Sequence, residues 1–149
     1  MWSESSYRRL VRASAGYDIL VTAAFATPWT FAWLHAWLLQ LTAGWPGNLP
    51  PFAPMHMLMT NLLGSLVLVW AVLRWRDPQV RFGRYDAAAR WLFATWQGYA
   101  LAQGASAIIA LFLIFELGFG LLQSLPVRQP AHHPMRERPA GPYNPRRTL

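Results

Sequence analysis

The 149-residue chain has no cysteine, no lysine and only six acidic residues. Without cysteine it has no disulfide framework and no thiolate-ligated zinc or iron–sulfur site. Charge is also missing from long stretches. Residues 19–73 contain no Asp, Glu, Lys or Arg, and neither do residues 91–115. A water-soluble domain of this size rarely leaves such runs uncharged, and runs this long read as membrane spans. With 54% hydrophobic residues, the chain is too apolar to be disordered throughout. Its net charge of +7 does not mark a nucleic-acid binder, because the charge lies outside the apolar blocks. The sequence contains no G-x-S-x-G, no H-E-x-x-H and no phosphate-binding glycine loop.

The positive charge is all arginine, 13 residues of it. Guanidinium keeps its charge in any environment, so arginine positions report topology. They fall at Arg8, Arg9 and Arg12; at Arg74, Arg76, Arg81 and Arg84; at Arg90; and in a tail from Arg128 to Arg147. This pattern predicts an all-α integral membrane bundle of four spans, at about 10–28, 55–75, 85–103 and 106–123, forming one domain over 1–124. Pro54 and Asp77-Pro78 supply helix-start and turn chemistry. Gly104 sits in a connection of about three residues, which makes the last two spans an antiparallel hairpin. With both termini and the Arg74-to-Arg84 loop in the cytoplasm, the external connections at 43–54 and 104–105 carry no charge. The location expected is a bacterial inner membrane.

Segment 29–42 does not fit as a fifth span, because crossing there would put the arginine-rich loop outside. One helix over 10–42 would be ~50 Å long against a ~30 Å hydrocarbon core. The first span is therefore expected to break or kink at Pro28, or to project outside. Trp29, Trp33 and Trp37 recur on one helical face with Trp45 beyond, which suits an interfacial helix or an outer aromatic belt. Arg8-Arg9, an apolar stretch and Ala24-Phe25-Ala26 also resemble a cleavable signal peptide. Asp18 inside the apolar region counts against cleavage, which would leave three spans in the same orientation. Residues 125–149 hold six prolines and five arginines and are expected to form a disordered cytoplasmic tail; His132-His133 is too slight for a metal site.

Ionisable groups inside spans cost about 2.5–3.5 kcal/mol each and need a reason. Asp18, Arg90 and Glu116 lie ~8–10 Å in from the cytoplasmic end of their spans, at one level. They are expected to form a buried cluster joining spans one, three and four. Such a cluster serves either as a structural lock or as a proton- or ligand-linked carboxylate. Alternatively, Arg90 snorkels and pairs locally with Asp86. Ser14, Asp18 and Thr22 share a face; Ala94, Gly98 and Ala102 form a small-residue face, with Gly118 and Gly120 doing the same near Glu116. Asn61 and Ser65 share a face, and Asn61, Gln97 and Tyr99 together suggest a polar cavity.

At the outer end, Met55, His56, Met57 and Met59 open the second span, and His35 lies on the Trp-rich segment. Thioether and imidazole groups suit copper(I), and two histidines suit haem; the same residues also make an ordinary interfacial helix start. The leading expectation is a non-enzymatic accessory subunit, working through contact with a membrane-protein partner or a second copy. Alternatives are a small transporter or lipophilic-ligand binder using Asp18, Arg90 and Glu116, and metal or haem binding. Anionic lipids are the expected partners of the arginine-rich loop and tail.

Overall fold

The first two helices begin at side-chain caps. In the computed structural model, which describes residues 1–128, helix α1 is Glu4–Thr22. Ser3 caps it, its Oγ accepting from Ser6 N at 3.2 Å. A 3-10 turn, Ala23–Ala26, follows. Thr27 then leaves the helical region and caps α2, Pro28–Leu41, with Pro28 at its first position. The chain bends by 104° between the Glu4–Ala26 segment and α2. The break expected at Pro28 is thus an abrupt turn, and α2 is a separate helix.

Helix α3 is Pro54–Arg76, α4 is Val80–Ala102 and α5 is Ile109–Ser124. Arg74 and Arg76 lie in the last turn of α3, where cations complement the helix dipole. The described residues are all-helical apart from turns and two isolated bridges. Of these helices, α3 is long and apolar enough to cross a membrane. The Glu4–Ala26 and Pro28–Leu41 pair meets that standard only when taken together across its bend. Helix α4 has the length but carries Arg81, Arg84, Asp86 and Arg90. Helix α5, at 16 residues, is ~24 Å long, short of a ~30 Å core.

Helix α1 packs on α3 and α4 pairs with α5, while α1 bridges the two pairs. Two close approaches set this arrangement. A Cβ at Gly64 would lie 2.6 Å from the Phe25 carbonyl carbon, so α3 meets the 3-10 turn backbone to backbone. A Cβ at Gly83 would lie 2.6 Å from Val11 Cγ2, so α4 meets α1 there. The small-residue face expected at Ala94, Gly98 and Ala102 packs only in part. Ala94 is buried, but Gly98 and Gly118 face open space and Ala102 is exposed. Gly120 packs against Arg90 and Trp91.

Both ends of the bundle are tied. The 42–53 and 103–108 connections are joined by Asn48 N to Gly104 O and Ser106 N to Asn48 O, each 3.1 Å. At the opposite end Trp2 forms a parallel bridge with Val127, through Trp2 N to Pro126 O at 2.9 Å and Arg128 N to Trp2 O at 2.8 Å. Residues 126–128, expected to belong to a disordered tail, are instead tied to the N-terminus through Pro126 O and Arg128 N. Residues 129–149, with His132 and His133, lie outside the described residues.

The distribution of polarity is inverted. Buried side chains include Ser14, Asp18, Arg74, Asp86, Arg90, Glu116 and Gln123, whereas Leu62, Leu66 and Val69 on α3 and Trp29 and Trp33 on α2 are exposed.

Candidate functional site

Four helices contribute to one buried charge network. Arg90 of α4 donates from Nη1 to Glu116 Oε2 of α5 at 2.9 Å. Its Nη2 reaches both Asp18 oxygens of α1 at 2.8 Å, and its Nε donates to Asp86 Oδ2 at 3.1 Å. Asp18, Arg90 and Glu116 therefore meet, as three members of a five-charge network rather than as a closed triad. The local Asp86–Arg90 pair exists alongside the interhelical ones.

The two further charged members are Asp86 and Arg74. Arg74, which the sequence groups with the Arg74-to-Arg84 loop, belongs instead to the buried network. It lies inside α3 with no exposed surface, donating from Nη2 to Asp18 Oδ2 at 2.5 Å and pairing through Nη1 with Asp86 Oδ2 at 2.6 Å. The reason is charge balance: three carboxyls converge here, and Arg90 alone cannot serve them. Counting acids against cations near the spans is the signal that finds it. Ser14 Oγ accepts from Arg74 Nη1 at 3.2 Å and Arg90 Nη2 at 2.8 Å, and donates to Asp86 Oδ2 at 2.9 Å. Gln123 Nε2 and Trp70 Nε1 also donate to Asp86, at 2.9 and 3.3 Å. Below the network, Tyr7 donates its hydroxyl to Gln123 O at 2.8 Å. Burial holds this phenol above its ordinary range, against the pull of Arg84.

Above the network lies a cavity of about 800 Å³. It opens between the α1–α3 and α4–α5 pairs. Tyr17, Phe25, Trp70, Phe93, Trp96 and Phe112 give it aromatic walls, and Asp18, Asp86, Arg90 and Glu116 form its floor. The expected polar cavity of Asn61, Gln97 and Tyr99 does not form. Only Gln97 lines the cavity, where its buried Oε1 has no hydrogen-bond partner. Asn61 donates instead to Phe25 O at 2.8 Å, satisfying a carbonyl at the broken end of α1. Tyr99 is 61% exposed, because two residues along a helix turn it ~200° away from Gln97.

The His and Met residues expected at the outer end are divided. Phe52 stands between the imidazoles of His35 and His56, with ring centroids 5.0 and 6.1 Å away. His35 Nε2 lies 3.1 Å from Pro50 O, and His56 Nδ1 accepts from Ala53 N at 3.4 Å. Met55 and Met59 are exposed and Met57 is half-buried. Among the described residues no group of three or more His, Cys, Asp or Glu side chains is placed to hold a metal ion.

A separate recess of about 440 Å³ lies at the loop end of α3, lined by Arg8, Arg9, Arg12 and Arg76 with Ser5, Asp77 and Pro78. Arg8 is paired with Glu4, and Arg12 Nε donates to Trp75 O at 3.2 Å. Comparison of the chain with protein families, with characterised proteins and with solved structures finds no match.

Proposed function

We propose that the chain is a four-span protein of a bacterial cytoplasmic membrane that binds a lipophilic ligand between its two helix pairs. The observation that carries this reading is the cavity, with about 800 Å³ of volume, aromatic walls and a charged floor. Small-molecule sites typically measure about 300–1,000 Å³ and combine apolar walls with a few polar groups. The inverted polarity supports a bilayer as solvent: exposed Leu62, Leu66 and Val69 make an apolar face that water would penalise. Helix α4 is compatible with spanning because Asp86 and Arg90 are paired inside the bundle, while Arg81 and Arg84 sit near its cytoplasmic start. Both termini lie in the cytoplasm on this reading, and the four-arginine recess faces anionic headgroups.

An accessory-subunit role has one observation in its favour. Gly98 and Gly118 face open space on the α4–α5 hairpin, leaving room for a helix from a partner or a second copy.

Tryptophan quenching tests ligand binding, since Trp70 and Trp96 line the cavity. A brominated long-chain alcohol titrated into detergent-solubilised protein is expected to quench saturably. Ala100→Phe, which fills the cavity, is expected to remove the saturable component. Quenching that only follows partition into micelles, identical in both proteins, would refute the reading.

A further inference from the structure

The network is one cation short. Asp18, Asp86 and Glu116 supply three carboxyls, and Arg74 and Arg90 two guanidiniums. The shortage is unevenly shared. Asp18 and Asp86 each contact both arginines, whereas Glu116 contacts Arg90 alone. Accessibility is uneven in the same sense. The arginine side chains are 0 and 2% exposed, while those of Asp18 and Glu116 each keep 10%. What the floor presents to the cavity is therefore mostly carboxyl, from Asp18, Asp86 and Glu116, with little of Arg90. Gln97, two turns beyond Arg90 on α4, lines the cavity as well, with its amide oxygen buried and without a donor.

We propose that the cavity takes a lipophilic organic monocation, its charge seated beside Glu116 and its apolar body against the aromatic walls. This rests on the ligand-binding reading above and adds the ligand's charge. An organic cation supplies the missing positive charge, and Trp96 and Phe93 line the cavity with aromatic rings of the kind that attract cations. An anion would meet three carboxyls against a single, 2% exposed arginine side chain, Arg90, since Arg74 does not line the cavity. A small hydrated metal ion would find apolar walls and carboxyls already divided between two guanidiniums. A proton on Glu116 is the competing way to balance the charge, and it would leave a cavity indifferent to ligand charge.

The test uses the full chain in a non-ionic detergent with three bulky probes of similar shape: tetraphenylphosphonium, tetraphenylborate and neutral triphenylmethanol. Binding is measured by equilibrium dialysis, with Ala100→Phe as the baseline for micelle partition. The expected result is phosphonium binding at least tenfold tighter than either other probe. Glu116→Gln is expected to cut phosphonium affinity at least tenfold and leave triphenylmethanol unchanged; a melting curve checks that this variant is folded. The wild-type ranking of the three probes decides the question even if the variant fails to fold. Equal binding of all three overturns the charge inference and leaves the cavity reading standing. Binding of none above the Ala100→Phe baseline overturns both.

Discussion

Arg90 of α4 and Glu116 of α5 are joined at 2.9 Å, and the same guanidinium extends to Asp18 of α1 at 2.8 Å. One side chain thereby couples the α4–α5 hairpin to the α1–α3 pair. The acids around it are held very differently. Asp86 receives hydrogen bonds or ion-pair contacts from Arg74, Arg90, Ser14, Trp70 and Gln123, whereas Glu116 is contacted by Arg90 alone.

That asymmetry predicts unequal costs of neutralisation. Asp86→Asn weakens charge-assisted contacts to two buried guanidiniums, on the order of 1.5–3 kcal/mol each, and disturbs the bonds from Ser14, Trp70 and Gln123, although it also relieves the excess negative charge. Glu116→Gln removes one charge-assisted contact, on the order of 1.5–3 kcal/mol, with the same relief of excess charge, so it should cost less than Asp86→Asn. Denaturant unfolding of the detergent-solubilised protein measures both. Equal losses would mean that Asp86 is not the hub.

Two arginines separated by a single residue should behave as different classes. Arg74 is wholly buried between Asp18 and Asp86, and Arg76 is exposed beside the four-arginine recess. Arg74→Gln should cost about 3–5 kcal/mol, because it uncouples buried carboxylates. Arg76→Gln should fall within roughly 0.5 kcal/mol of the parent. Similar melting temperatures for the two variants would restore Arg74 to the loop.

The difference between those arginines explains what could be read from the sequence. Asp18 and Glu116 stand alone in apolar sequence, so their need for a partner is visible, and counting residues from the arginine-rich ends of the expected spans puts them level with Arg90. Arg74 was hidden by its neighbours: beside Arg76 and ahead of Arg81 and Arg84 it looks like a topology signal. Its burial follows only once α3 is seen to continue to Arg76 and to lie against α1. The break at Pro28 was legible from Thr27-Pro28, but its angle was not, because the direction of α2 depends on Thr27 leaving the helical region. The cavity could not be read, since it arises from how two helix pairs diverge. Its charged floor residues Asp18, Arg90 and Glu116 are legible in the sequence, but of the expected Asn61, Gln97 and Tyr99 set only Gln97 lines it, since Tyr99 lies on the other side of the same helix.

Orientation is testable without any ligand. The Trp2–Val127 bridge places both of those residues at one end of the bundle, and the Asn48–Ala105 bridge joins the two connections at the other. Reporter fusions at Pro78 and after Arg128 should both read cytoplasmic, and one within 47–51 should read external. A cytoplasmic signal from the 47–51 insertion would overturn the four-span arrangement.

The same bridge gives a truncation result. A chain ending at Arg128 keeps the bonds between Trp2 and residues 126–128, and a chain ending at Leu125 loses them. It also loses whatever these bonds contribute to seating Arg84, which donates to Leu125 O at 2.8 Å. Two backbone hydrogen bonds at about 0.5–1.5 kcal/mol each predict a shorter chain destabilised by roughly 1–3 kcal/mol relative to the longer one. Identical unfolding midpoints would show that the bridge adds nothing to stability.

Glycine-to-alanine changes at Gly64 and Gly98 should differ in sign. Both glycines lie within long helices, α3 and α4, so alanine gains about 0.5–1 kcal/mol of backbone entropy at either site. Packing then separates them. At Gly98 a Cβ meets nothing within 4 Å, so Gly98→Ala should be stabilising by about that amount. At Gly64 a Cβ would stand 2.5 Å from Phe25 Cβ and 2.6 Å from its carbonyl carbon, and backbone cannot swing aside as a side-chain tip does. Moving the 3-10 turn would also strain the Asn61–Phe25 hydrogen bond at 2.8 Å. Overpacking of this kind costs about 1–3 kcal/mol, more than the entropy gained, so Gly64→Ala should be destabilising. Paired unfolding curves decide it. If Gly98→Ala were instead the damaging change, the open face of α4 would be closed by another helix in the solubilised protein, which a mass measurement by light scattering would reveal as a dimer.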